Sequence, residues 1–334
     1  MHKRIFGIDS MRYLAAIAVI FIHCFPAQGT LKTIIDQLAR FAVPFFFVTS
    51  GYLLSLKLVK EDTWDSYLPY LKRILILYFG WNLVYAFDFD PQVIMDRGFF
   101  DSFYSRISNF FVYSGYEAIL FFGFSYHLWF FVSLAGAVFA FMFFKLKSLN
   151  LFLLFSALLY AFGVISYSYR FTPLGHIASE WIGTFNPRNF LAYSALPFGL
   201  GIWIGVKKIK LRPVVALGIW ALGIALHFAE ILFLHTYSND ILVDAVFSTF
   251  IMGVGAFLFA ISGNQLIENK TLSTLGMLSL GIYGCHLLFK NKLVFIKELF
   301  DPSIWNYLYP ILVVILSTLL TMGMKKIRFL KELV

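Results

Sequence analysis

Only two cysteines, Cys24 and Cys285, occur in 334 residues. So few thiols exclude a disulfide framework and every metal site built mainly from thiolates. Charge is scarce too, with 13% of residues charged against 60% hydrophobic. A soluble domain cannot cover its surface with so little charge, so composition excludes a water-facing globular fold. The net charge of +9 is not spread as a binding stripe, because Lys and Arg sit in short clusters between apolar runs. No basic run interleaves with exposed aromatics, which excludes a nucleic-acid partner. No convincing internal repeat is visible, although the inverted repeats of transporters can hide from inspection.

What is present is apolar sequence in excess, with a mean hydropathy of +0.79. The 41 phenylalanines are apolar filler in lipid, not an aromatic binding box. A helical span needs about 20 mostly apolar residues. Ten runs qualify, at about 11–29, 41–58, 74–90, 126–144, 150–168, 190–206, 213–234, 241–262, 272–289 and 303–324. The expected fold is therefore all-α, a polytopic transmembrane helical bundle forming a single domain over 1–334. Region 91–125 is aromatic but broken by charge and Gly, and reads as interfacial or re-entrant. Lys3 and Arg4 before an apolar run resemble a signal peptide, but Asp9, Arg12 and His23 are wrong for one. The segment reads as a retained first span. With the N-terminus in the cytoplasm, seventeen Lys and Arg fall on the cytoplasmic side and nine, including Lys32, Arg40, Arg188 and Lys290, on the other. The bias predicts both termini in the cytoplasm and an even span count.

Ionisable groups inside spans are costly and point to function. In "IDSMRYLAAIAVIFIH" Arg12 and His23 are eleven residues apart, three helical turns, so they share one face about 16 Å apart. Asp9, one turn before Arg12, would pair with it or cap the helix. A snorkelling Arg with an Asp partner and a satisfied buried His is the structural alternative. In the second run, "FAVPFFFVTSGYLLSL", Ser50 and Gly51 permit either close helix approach or passage of a slender substrate. Lys72 and Arg73 at the foot of the third run suit lipid anchoring or a phosphate-bearing ligand. His127 and Trp129 in "YHLWFF", with Tyr283 and His286 in "GIYGCHLLF", fall at the end of their spans shared with His23. Belt roles explain Trp129 readily. A three-His metal site is a weak alternative, and no metal is expected.

Taken in order, these segments resemble the acyltransferase-3 family of integral membrane acyltransferases, in its short, membrane-only form. The family hallmark is Arg, ten residues, then His, here Arg12 to His23. "PFFFVTSGYL" is similar to its Phe-Phe-x-x-Ser-Gly element, "HLWFFVSL" to its His-Leu-Trp element and "GIYGCHLLF" to its Tyr-x-x-His element. Family members often carry two Arg three apart before the third span. Here Tyr70 takes the first place and Arg73 the second, with Lys72 as the nearest substitute cation.

The resemblance implies transfer of an acyl group, usually acetyl, from cytoplasmic acyl-CoA to a hydroxyl on a cell-envelope glycan or lipid-linked saccharide. His23 would be general base or acyl carrier, with Arg12 beside it in the catalytic set. Arg12, Lys72, Arg73 and Ser50 would meet the donor, His127, Trp129, Tyr283 and His286 the acceptor, and Asp9 would support Arg12. Imidazole suits that task because its pKa lies near operating pH. Acetyl-CoA would be a co-substrate, with no tightly bound cofactor, and the location the bacterial cytoplasmic membrane. A proton-coupled transporter, relaying protons through the intramembrane His and Arg, is the competing reading. A scaffold protein leaves those residues unexplained.

Overall fold

The computed structural model describes residues 4–25, 29–89, 91–113, 115–116, 118–182, 186–189 and 191–334. Lys3, counted above among the cytoplasmic basic residues, lies outside them, as do residues 114 and 117 of the 91–125 region. The described chain is helical, with no strand. Its principal helices are α1 (Phe6–Cys24), α2 (Thr30–Ala39), α3 (Ala42–Leu58), α4 (Trp64–Ala86), α5 (Pro91–Arg97), α6 (Phe99–Tyr113), α7 (Trp129–Phe144) and α8 (Leu149–Tyr167). They continue through α9 (Pro173–Ile182), α10 (Ala195–Val206), α11 (Pro213–His235), α12 (Phe247–Ala260), α13 (Lys270–Gly276), α14 (Ser279–Leu293) and α15 (Pro302–Lys326). Nine of the ten apolar runs overlap one of these helices each, while 272–289 is divided between α13 and α14. Residues 26–28, 90 and 190 of the runs lie outside the described residues.

By length and composition, six described stretches can cross a membrane: Phe6–Cys24, Thr30–Leu58, Tyr126–Phe144, Leu146–Tyr167, Pro213–His235 and Pro302–Lys326. A seventh is added if Lys270–Gly276 and Ser279–Leu299, bent by 65°, form one broken span. Helices α10 and α12 are apolar but short, and α4 carries Asp65, Lys72 and Arg73 along its 23 residues. Local chemistry sets several helix ends. Asn269 accepts from the backbone N–H groups of Thr271 and Leu272 to start α13, and Pro213 stands at the first turn of α11.

Helix α3 lies at the centre, packed on α10, α12 and α1. Gly51 explains the closeness of α3 to α10: a Cβ there would sit 1.9 Å from the carbonyl oxygen of Phe198. At Gly51, then, the close-approach option read from the Ser-Gly pair is the one realised. The periphery is apolar and open, with Phe79, Leu83, Phe143, Leu158 and Leu232 all exposed. Lipid is the solvent in which such a surface is stable. Within 91–125, α6 turns Phe100, Tyr104 and Phe111 outward. Both cysteines are buried as free thiols, Cys24 at the end of α1 and Cys285 in α14.

Candidate functional site

Helix α1 starts five residues earlier than the apolar run, because hydropathy does not register charges that are paired. Ile5 occupies the N-cap position and Asp9 lies inside the first turn, so Asp9 pairs and does not cap. Its Oδ2 receives Arg4 through Nε at 3.1 Å and Nη2 at 3.0 Å. Its Oδ1 is 3.5 Å from Nη1 of Arg12. Ser273 closes the cluster, accepting at Oγ from Arg4 Nη2 at 2.8 Å. Tyr70, the departure from the paired-Arg pattern, lies near enough to Arg12 to interact electrostatically, and its hydroxyl donates to the Ser50 carbonyl at 3.4 Å. Arg12, Tyr70 and Ser50 thus form one neighbourhood.

The other two donor-side candidates lie elsewhere. Arg73 donates to the backbone carbonyl of Val334 at 2.5 Å, to that of Glu332, and to the Glu332 carboxylate at 3.2 Å. It therefore clasps the segment 330–334. Lys72 is exposed beside Leu68, Leu75, Ile76 and Phe79, on the outward apolar face of α4. Neither contacts Arg12.

The three histidines do come together. The His23 ring stacks on His286 with centroids 5.4 Å apart, and His286 meets His127 edge-on at 5.1 Å. Burial is complete for His286, and His127 is 1% exposed, so neither is a belt residue. Backbone carbonyls fix their tautomers. His286 Nδ1–H donates to the carbonyl of Tyr283 at 2.7 Å, and its Nε2 is buried without a partner. His127 Nε2–H donates to the Gly284 carbonyl at 3.2 Å, so its Nδ1 accepts from the Ser125 hydroxyl at 2.9 Å. Tyr283 donates its hydroxyl to the backbone carbonyl of His127, locking α14 to the start of α7. Trp129 is a wall rather than a belt residue, with its ring against Phe47 and Tyr193. Among the described residues no three His, Cys, Asp or Glu converge as a metal-ligand set.

The sequence reading missed Tyr126, whose hydroxyl lies 3.0 Å from His23 Nδ1. It also missed the carbonyl of Gly284, which accepts from both His127 and the Tyr85 hydroxyl. Arg40 and Arg188 were counted only as basic residues of the non-cytoplasmic side and Asp244 fell unremarked inside the run 241–262, yet Asp244 bridges Arg40 at 2.7 Å and Arg188 at 3.1 Å. The Arg188 guanidinium stands 6.0 Å from the Trp129 ring centre.

Chemically, the cluster offers one half-buried imidazole held by a phenol, backed by two buried imidazoles, on the helix that carries Arg12 near its other end. Residues 5–324 match the acyltransferase-3 family, described as an acyltransferase domain. The chain belongs to this family. Two curated relatives of this acyltransferase-3 protein carry other names. It is 25% identical over 256 residues to an "Amino-acid racemase" of Enterococcus faecalis, which covers 72% of this chain and 35% of that protein. It is 30% identical over 138 residues to a "Serine/alanine racemase" of Enterococcus gallinarum, 38% of this chain and 18% of that protein. The chain thus spans about a third or less of these relatives, and their names describe much longer proteins. No solved structure matches the chain.

Proposed function

We propose that this integral membrane acyltransferase moves an acyl group, most simply acetyl, from cytoplasmic acyl-CoA to a hydroxyl of a cell-envelope glycan or lipid-linked saccharide. The observation that carries this reading is the setting of His23: on one helix with Arg12, held by Tyr126 and stacked on His286. With Nδ1–H donating to the Tyr126 oxygen, Nε2 presents its lone pair to the acceptor hydroxyl. Nε2 removes that proton as the oxygen attacks the thioester carbonyl. The C–S bond then breaks, and the coenzyme A thiolate leaves and takes a proton. In a covalent variant Nε2 first attacks the thioester and carries the acyl group to the acceptor. Arg12, in reach of the opposite end, would meet the pantetheine arm or phosphates of acyl-CoA, with Ser50 and Tyr70 alongside. Lys72 and Arg73 remain weaker donor contacts, given where they point.

In the orientation supported by the basic-residue bias, both termini face the cytoplasm, ten helices cross, and the histidines lie toward the outer face of a bacterial cytoplasmic membrane. The test is direct. Purified protein with radiolabelled acetyl-CoA and envelope glycan extract should yield labelled glycan, and His23→Ala should abolish the label. Undiminished labelling by that variant overturns the reading. The chain of three imidazoles in ring contact favours one alternative, a proton-coupled transporter. Solute flux into vesicles without any acyl-CoA requirement would select it.

A further inference from the structure

Several basic residues on the side opposite the proposed cytoplasmic face defy the positive-inside pattern, and three of them gather at the histidine end. Arg40 lies between α2 and α3, Arg188 before α10 and Lys290 late in α14. All three charges are close enough to act on His23. Anchoring at a lipid surface accounts for Lys297, which is exposed, and for the half-exposed Lys32. It does not account for Arg40, whose Nε is buried without an acceptor. Local carboxylates balance the group only in part, with Asp36 close enough to act on Arg40 and Asp244. Asp244 is shared between Arg40 and Arg188, and Lys290 has no acidic partner among the described residues, lying 5.9 Å from the Tyr126 ring centre. Arg188 is further aimed by the Tyr167 hydroxyl at 2.8 Å and by the face of Trp129. An aromatic wall beside guanidinium groups suits a sugar ring bearing an anion.

We propose that Arg40, Arg188 and Lys290 form a receptor for an anionic group on the acceptor, a carboxylate or a phosphate, which brings a neighbouring hydroxyl to His23. The proposal rests on the acyltransferase reading for its purpose, but its site is testable without that reaction. In this arrangement Lys290 with Tyr126, and Arg188 with Trp129, would flank the anion. The anion would meet the positive charge that Asp244 and Asp36 leave over, chiefly that of Lys290.

Binding to purified protein should be measured without acyl-CoA for three probes: a glucuronate-containing trisaccharide, a neutral glucose trisaccharide and a polyprenyl-phosphate glucose. At least one anionic probe should bind about tenfold more tightly than the neutral one, the value of one charge-assisted hydrogen bond. Which anionic probe wins identifies carboxylate or phosphate as the recognised group. Lys290→Gln and Arg188→Gln should each weaken the anionic probe by about tenfold and weaken the neutral one less. Lys290→Gln breaks no ion pair among the described residues, so it separates recognition from folding, with thermal stability as the control. Equal binding of all three probes, or anionic binding untouched by Lys290→Gln, overturns the proposal. If anion binding behaves as expected but no acetyl is transferred, the acyltransferase reading fails and the anion site stands. If acetyl is transferred with no preference for anionic acceptors, the reverse holds.

Discussion

His23 and Tyr126 form the pair on which the chemistry turns, and their substitutions should separate. His23→Ala removes the proposed base and should lower acyl transfer by about 10²-fold or more, measured as acetyl delivered from acetyl-CoA. Tyr126→Phe keeps the edge-on ring contact and loses only the hydroxyl 3.0 Å from Nδ1. Its cost should be that of one neutral hydrogen bond, about 3- to 10-fold in kcat, with KM for the donor unchanged. His23 was legible in the sequence because an imidazole in an apolar helix, on the same face as an arginine, needs explanation. Tyr126 was not. Next to His127 at the start of a span it looks like an interfacial aromatic, and only folding sets it against a residue 103 positions away. Convergence of His23, His127 and His286 was expected from their shared depth only on the condition that their spans pack around one cavity, since period and hydropathy place residues along a helix but not across helices.

At the scale of the helix, α3 depends on the absence of side chains at its crossing with α10. Gly51→Ala would press a methyl against the carbonyl of Phe198, and Gly201→Ala would do the same to Val48, where a Cβ falls 2.0 Å from the carbonyl oxygen. Each should destabilise by about 1–3 kcal/mol, read as a lowered thermal midpoint in detergent. Arg73 gives a second expectation. Arg73→Ala should expose residues 330–334 to protease, because its three contacts with Glu332 and Val334 are lost together. A donor role for Arg73 adds weakened acetyl-CoA binding to that change, and unchanged donor affinity would leave only the clasp. Apolar runs revealed the existence of the long helices well, since lipid demands them. They misplaced the start of α1, where Arg4 and Arg12 neutralise Asp9 inside the first turn and Ser273 hydrogen-bonds it. The short α2 went unread, being too polar for a span.

For the whole molecule, sidedness is the open quantity with the plainest measurement. Single cysteines placed at Lys331 and at Lys297, both exposed, should react with a membrane-impermeant maleimide from opposite faces of intact cells, Lys297 from outside. Reaction of both from one face would remove the proposed orientation and, with it, the separation of donor and acceptor. Burial of the two native thiols makes that experiment unusually clean. Cys24 is 2% exposed and Cys285 fully buried, so the unaltered chain should stay dark to the reagent. Labelling usually begins by stripping native cysteines, which here would mean carving into the residue next to His23 and into the helix that holds His286. This protein can serve as its own blank, and every labelled variant can keep its reaction centre intact.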